Sequence, residues 1–460
     1  MRSFPKDFIF GASSSAFQIE GAADADGKGP SIWDEFCKKK GAVRAGERAD
    51  TACDHYRRWR EDLDIAAELG LGAYRFSVSW PRILPEGRGR VNQAGLDFYS
   101  RLVDGLLERG ITPFPTLFHW YLPLALQVEL GGFRNRELVP IFADYASAVA
   151  RAIGDRVTNW ITVNEPFEYS CFGHLFGTHA PGVKNPFAFL QAMHHVLLAH
   201  GDAVRVLRSE VRNAVVGPAL SWTPVHPASD SAKDLAAAGR AEAYMNRVTF
   251  DPILKGSYPA EVAGKALFHP PVKDGDLERI ATPVDFVGVN YYSRERAKAN
   301  PFVPFVRADI SGKEPREVPE TDDRTAMGWE VYHEGLTEIL RELRERYGNP
   351  PTYVTEFGSA WSDVPVEGPE GRRVDDRRRV RYLAAQLERM LRAREEGSDL
   401  RGCFVWSLMD NFEWAEGFSK RFGLTYVDYA TQERIIKESG RRYARLAASG
   451  DLDQFGGTDD

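Results

Sequence analysis

Residues 73–120 run from AYRFSVSW (73–80) through LDFYSRLVDGLLERG (96–110) to TPFPTLFHW (112–120). The two outer pieces are short, near-continuous apolar runs, as shown by parallel strands buried on both faces. The middle piece has apolar residues three to four apart and stops on Gly110, which reads as an amphipathic helix ended by a glycine. The same alternation recurs along the chain. Further strand-like runs are FIFGAS (8–13), NWITVNEP (159–166), AVVGPALSW (214–222), DFVGVNYYS (285–293), PTYVTEFG (351–358) and GCFVWSLMDN (402–411). Helical stretches between them include YRRWREDLDIAAELG (56–70), LVPIFADYASAVARAIG (138–154) and GLTEILRELRERYG (335–348). Eight strands alternating with helices predict an α/β chain folded as a single (β/α)8 TIM barrel, with elaborated loops at its C-terminal face. An open doubly wound sheet would usually carry a glycine-rich phosphate loop after its first strand. The stretch FIFGASSSAFQIEGA does not fit that fingerprint.

The bulk numbers are those of a globular chain: 460 residues, 43% hydrophobic, 27% charged, net charge -7. Length alone would suggest about three domains, but α/β barrels often run long as one unit. No Ser/Gly-rich linker divides the chain. We therefore expect one catalytic barrel over residues 1–448 and a polar, frayed tail over 449–460. The extra length falls in long connections near 226–284 and 294–330, and GRRVDDRRRVR (371–381) reads as a solvated helix start. The mild acidity gives no footing for nucleic acid. No apolar run reaches the roughly 18 residues of a membrane span, and the first residues lack a signal peptide's apolar core. Cys37, Cys53, Cys171 and Cys403 form no C-x-x-C pair and read as reduced thiols of a cytoplasmic protein.

In a barrel the active site forms where the strands end. The first strand leads to Gln18 and Glu20, the second contains Arg75, and the third ends at His119 and Trp120. The fourth ends on Asn164 and Glu165, the sixth on Asn290 and Tyr292, and the seventh on Glu356. The eighth carries Trp406 and runs on to Glu413 and Trp414. The fifth adds Ser221 and Trp222, to which the sequence assigns no role. Taken singly, His119 reads as structural, Asn290 as a loop anchor, Trp406 as core and Arg75 as an ion-pair partner. Glu165 and Glu356 resist such readings, because a carboxylate at the end of an apolar strand is costly without a partner or a task. A metal centre is the competing reading. His194 and His195 are adjacent and His200 is five further on, so none makes an i, i+4 pair, and no H-E-x-x-H motif or cysteine cluster exists. No metal is expected. Two carboxyl groups within a ring of hydrogen-bonding and aromatic side chains suit cleavage of a glycosidic bond.

The motifs that carry these residues resemble glycoside hydrolase family one, the β-glucosidases and their relatives, over nearly the whole chain. They include GKGPSIWDEF (27–36), YRFSVSW (74–80), FHW (118–120), WITVNEP (160–166), HAPG (179–182), MGWEVY (327–332), VTEFG (354–358) and VWSLMDNFEWAEGFSKRFGLTYVDY (405–429). The resemblance implies that Glu356 is the nucleophile, Glu165 the acid/base, and Arg75 and Tyr292 the groups that keep Glu356 ionised. It implies that Gln18, His119, Asn164, Asn290, Trp406, Glu413, Trp414 and Phe422 form the sugar-binding ring. Glu413 stands where relatives acting on 6-phosphorylated sugars need a small or cationic group, and Lys420 nearby reads as exposed. A neutral β-glycoside is the implied substrate: a terminal β-D-glucosyl residue, with galactosyl and fucosyl open, released by retaining double displacement without a cofactor. Three positions depart from the family pattern. Phe357 replaces the usual asparagine after the nucleophile, Tyr121 replaces aspartate in HWYLP, and Phe167 replaces tryptophan after NEP. The rivals are transglycosylation in the same site and a non-catalytic carbohydrate-binding barrel.

Overall fold

The computed structural model describes residues 2–263, 269–303, 305–311, 319–369 and 371–456. The eight expected strands form one closed parallel barrel: β1 Ile9–Ser13, β2 Ala73–Ser77, β3 Thr112–Phe118, β4 Asn159–Asn164, β5 Val215–Ser221, β6 Val287–Tyr291, β7 Thr352–Phe357 and β8 Leu400–Trp406. Each strand pairs with its sequence neighbours, and β1 closes on β8 through Ile9 opposite Gly402. The connecting helices include α1 His55–Glu68, α2 Gln93–Glu108, α3 Leu138–Ile153, α4 Pro186–Glu210, α5 Val248–Lys255, α6 Gly335–Tyr347, α7 Arg377–Glu395 and α8 Glu438–Ser449. Gly70, Gly110 and Gly348 take a left-handed backbone where their helices end, whereas Gly154 keeps a helical one. No helix among the described residues is long and apolar enough to cross a membrane.

The barrel interior is filled at its base by Ala73, Phe114, Ile161, Ala219, Phe286, Tyr353 and Phe404. Phe114 meets Tyr353 and Phe404 edge to face at 5.6 and 5.0 Å between ring centres. A larger apolar shell lies between the strands and the helices. Above the aromatic floor the inward positions turn polar, so the barrel is sealed at one end and chemically equipped at the other.

Two strands break the simple alternation. In β7, Tyr353 points into the barrel, so strict period-two alternation would turn Thr355 inward and Glu356 outward. The pairing with β6 shifts between Val354 and Glu356. This bulge brings both residues inside: Thr355 Oγ1 donates to Asn290 Oδ1 at 2.7 Å, and Glu356 meets Arg75 and Tyr292. Phe357 then faces outward and is fully buried in the outer shell. Gly358 follows because a Cβ there would lie 2.0 Å from the Trp406 carbonyl oxygen. In β4, the register against β5 likewise shifts between Ile161 and Asn164, and Asn164 points inward.

Two expectations need correction. The segment from residue 449 is not frayed through its described part. Ser3 bridges to Asp451, Leu452–Gln454 is a short 3-10 helix, and Leu452 and Phe455 are buried. The remainder of the expected tail, 457–460, lies outside the described residues, as do parts of the two long connections. The run 371–381 is also not simply solvated. Asp376 and Arg379 are buried, with Arg379 Nη1 2.6 Å from Asp376 and 2.7 Å from Asp363.

Candidate active site

A cavity of about 640 Å³ opens at the C-terminal ends of the strands. His119, Glu165, Asn290, Tyr292, Glu356, Trp406, Glu413, Trp414 and Phe422 all line it. Glu356 sits at the end of β7 and is 3% exposed. One of its oxygens accepts a very short bond from Arg75 Nη1, and the other accepts the Tyr292 hydroxyl at 2.7 Å. A guanidinium and a phenol on the same carboxylate both stabilise its ionised form.

Arg75 is itself fixed from below. Nη1 also reaches the Thr355 carbonyl at 3.1 Å, Nε reaches Thr116 Oγ1 at 3.3 Å, and Nη2 donates to Asn164 Oδ1 at 2.5 Å. Asn164 Oδ1 also accepts from Asn290 Nδ2 at 3.0 Å, and its amide nitrogen reaches His119 Nε2 at 3.1 Å. A chain of buried polar groups thus ties β2, β3, β4, β6 and β7 together under the cavity floor. His119 Nε2 accepts in this chain, so its proton lies on Nδ1, an atom without a protein partner. Burial, then the Arg75 charge, keep the imidazole neutral by pushing its pKa well below the usual value.

Glu165 follows β4 in a left-handed conformation, φ 44° and ψ 66°, and starts the short helix Pro166–Ser170. Pro166 at the first helical position supplies the fixed φ that such a start favours. Burial, then the charges of Glu356 and Glu168, push the Glu165 carboxyl well above its ordinary pKa. The cavity thus holds one carboxylate clasped by two donors and one carboxyl group whose pKa burial and like charge push up. That division of labour is what an acid and a nucleophile on one bond require.

Trp406, Phe422 and Ala360 form a buried apolar cluster, with Tyr292, Met327 and Trp329 packed against it. Glu413 Oε2 has no protein partner, and burial, then Glu356, push this carboxyl up to about 8. Arg75 and Asn164 lie beneath the lining rather than on it. Gln18 likewise lies behind the lining. Its amide nitrogen is taken by Asn411 Oδ1 at 3.0 Å and the Phe412 carbonyl at 2.8 Å, and its oxygen accepts the Ser15 hydroxyl at 2.6 Å. It braces the loop that carries Glu413. Lys420 is not freely exposed either; it is half-buried and donates to the Ala326 carbonyl.

Phe167 lines the cavity, whereas Tyr121 is buried outside it, with the Lys28 ammonium 5.5 Å from its ring centre. The histidines weighed as metal ligands turn to separate partners: His194 to Tyr258 and Asp276, His195 to the Phe133 carbonyl, and His200 to Thr162. Several lining residues carried no assignment from sequence, among them Glu168, Trp222 and Trp329. For Glu168 a signal was present: it is the one charged residue in the otherwise uncharged stretch PFEYSCFG that follows Glu165.

A sequence model of the family described as Glycosyl hydrolase family 1 matches residues 1–451. The chain is 46% identical to Beta-glucosidase A of Thermotoga maritima over 456 residues, covering 98% of this chain and 99% of that protein. It is 44% identical over 464 residues to a bifunctional beta-D-glucosidase/beta-D-fucosidase of Bifidobacterium breve, covering 97% and 98% of the two chains. A solved structure of the Thermotoga maritima family 1 glycoside hydrolase, complexed with a cyclophellitol analogue transition state mimic, superposes with a TM-score of 0.92 at 45% identity, covering 98% of this chain and 99% of that one.

Proposed function

The chain belongs to glycosyl hydrolase family 1, and from that premise we propose that Glu356 is its nucleophile and Glu165 its acid/base in the retaining hydrolysis of terminal β-D-glucosides. That it is a β-glucosidase-type hydrolase of small glycosides follows from the family and the relatives. The residue roles rest on one observation. Glu356 is clasped between Arg75 and Tyr292 in the same cavity in which Glu165 is buried without a cation of its own.

In the first step a Glu356 oxygen forms a bond to the anomeric carbon as the glycosidic C–O bond breaks. The departing oxygen takes the Glu165 proton. In the second step Glu165, now a carboxylate, removes a proton from water, whose oxygen displaces Glu356 from the anomeric carbon. His119, Glu413, Trp406, Trp414 and Phe422 surround the sugar being transferred. A carboxyl group at Glu413 suits two neutral hydroxyl groups and disfavours a phosphate. Glucosyl is the preferred reading, and the relative with paired glucosidase and fucosidase activities supports fucosyl as a second sugar. We place the enzyme in the cytoplasm and treat residues 1–448 as its catalytic unit.

The test is release of the aryl alcohol from an aryl β-glucoside by the wild type and by Glu356→Ala. A loss of about three orders of magnitude or more, roughly 4 kcal/mol of transition-state stabilisation, is expected. A variant within about tenfold of wild type would remove Glu356 from the mechanism, and a wild type that binds glucose without turnover would favour the binding-barrel reading.

A further inference from the structure

Besides Glu165 and Glu356, the strand β4 to β7 side of the cavity carries two further carboxyl groups, Glu168 and Glu295. Glu168 has no place in the mechanism above. It lies three residues beyond Glu165 on the helix Pro166–Ser170, so it shares that helix's face toward the cavity. Its Oε2 is shielded from solvent and has no hydrogen-bond partner. In this it matches two other lining groups, His119 Nδ1 and Glu413 Oε2, both of which the proposed function assigns to the sugar being transferred. A shielded polar atom without a partner is costly unless a ligand completes it. Glu168 differs from those two in position. It bonds to Ser221 at the end of β5 and follows Glu165 by three residues, which puts it on the side of the cavity where the departing oxygen must receive its proton.

We propose that Glu168 is a specificity-determining residue for the leaving group, and that it selects a hydroxyl-bearing ring, a second pyranose, over a plain aromatic one. The proposal rests on Glu165 being the acid. The cavity is also lined by Phe167, Phe189 and Trp222, whose aromatic faces suit the C–H faces of a sugar. A carboxyl group there supplies both an acceptor and, when protonated, a donor. Burial, partly countered by a bond to Ser221, pushes this group up to about 7. A group that is protonated through much of the acid and neutral range pairs with a neutral hydroxyl better than with a cation. No lysine or arginine lines the cavity among the described residues, so an anionic leaving group finds no partner there. The terminal carboxyl torsion is broad, so a small rotation presents the unpartnered oxygen to an arriving hydroxyl.

The experiment compares kcat/KM for a β-linked glucose disaccharide and for 4-nitrophenyl β-glucoside in the wild type, Glu168→Leu and Glu168→Gln. The ratio of disaccharide to aryl substrate falls about tenfold or more in Glu168→Leu, the size of one hydrogen bond to a buried group. In Glu168→Gln, which keeps an acceptor and a donor, the ratio recovers to within about threefold of wild type. Aryl turnover by each variant shows that it is folded. A ratio that stays at the wild-type value in Glu168→Leu overturns the proposal, as does a fall of equal size in both variants. Failure of the wild type on both substrates would instead overturn the assignment of the active site, and the proposal with it.

Discussion

The Arg75–Glu356–Tyr292 arrangement makes opposite demands on two carboxyl groups in one cavity. Glu356 has two donors and Glu165 has none of comparable strength, so the proton stays on Glu165. Burial is the larger reason and the Glu356 charge the next. Replacing Glu356 by Gln removes that charge and leaves the burial. The Glu165 pKa should therefore fall while remaining above its ordinary value. A ¹³C NMR titration of the glutamate carboxyl carbons checks this, and an unchanged or raised value would contradict it. In the active enzyme the same physics puts the alkaline limb of kcat/KM well above the usual glutamate range. Glu165→Ala should slow glucosides of weakly acidic alcohols by about two orders of magnitude or more. Glucosides whose leaving group needs no proton should be spared in the first step, and equal losses across a leaving-group series would argue against Glu165 as the acid.

At the scale of elements, the two strands that end in the acidic pair both carry a register shift just before them. The barrel strands themselves were legible in the apolar runs, because burial on both faces leaves no other composition. The bulges were not. An inserted residue leaves no mark in a run that is apolar on both sides, so Glu356 was placed correctly at a strand end while its inward turn came from a shift that alternation hides. Glu165, Glu356, Tyr292, His119 and the aromatic side chains, which line one cavity, all fall in the motifs singled out from sequence. The partners of the Gln18 amide, Asn411 and the Phe412 carbonyl, were not legible, because sequence order says nothing of which group claims an amide.

The run 371–381 starts a helix and is largely exposed, as expected, but its buried members were hidden for a related reason. A string of arginines looks solvated until its counter-ions, remote in sequence, are known. Here Asp363, Asp376 and Asp410 meet Arg379, Lys437 and Arg421 behind the Phe422 loop, with Lys437 Nζ 2.6 Å from both Asp363 and Asp410. Arg379 also donates to the Ser359 and Arg421 carbonyls, and Asp410 accepts from the Gly423 amide. Lys437→Met would leave this buried set one positive charge short. A loss of about 3–5 kcal/mol in urea unfolding is expected, and a loss under about 1 kcal/mol would show that the set is not balanced as drawn.

Across the whole molecule, the first and last described segments meet. Arg2 pairs with Asp453 at 2.9 Å, and Phe455 is buried in the outer shell. Removing residues 451–460 strips Leu452 and Phe455 from the core, at about 1.5–3 kcal/mol for each side chain. The truncated protein should melt several degrees lower, and an unchanged melting temperature would restore the reading of a frayed tail.

The cavity also sets how stability varies with pH. Glu413 titrates at about 8 and Glu168 at about 7 in the folded chain, both raised mainly by burial from an ordinary value near 4.5. Between about pH 4.5 and 8 these two groups hold more protons in the folded state than in the unfolded one, so their own contribution to stability is lost as pH rises, whereas burial lowers the pKa of His119, His174 and His200 and gives those groups the opposite sign. At the acid end the sign reverses. Burial raises Asp62, Asp276 and Asp363, but their His, Arg and Lys partners outweigh it and hold all three low. Their contribution disappears as pH falls below the usual carboxyl value. Calorimetry of the empty enzyme at pH 5.5 and pH 8 checks the sign: Glu413→Gln should lose less stability, or gain more, than the wild type as pH rises, and an equal change in both would contradict it.

The central claim is that Glu356 becomes bonded to the sugar. The most direct measurement is mass spectrometry of peptides from enzyme quenched during turnover of a 2-deoxy-2-fluoro β-glucoside with an activated leaving group. The fluorine destabilises both positively charged transition states, and the good leaving group restores only the first step. One fluoroglucosyl group on the peptide containing Glu356 is the predicted result. Turnover with no adduct, or an adduct on Glu165 or Glu413, would contradict the account.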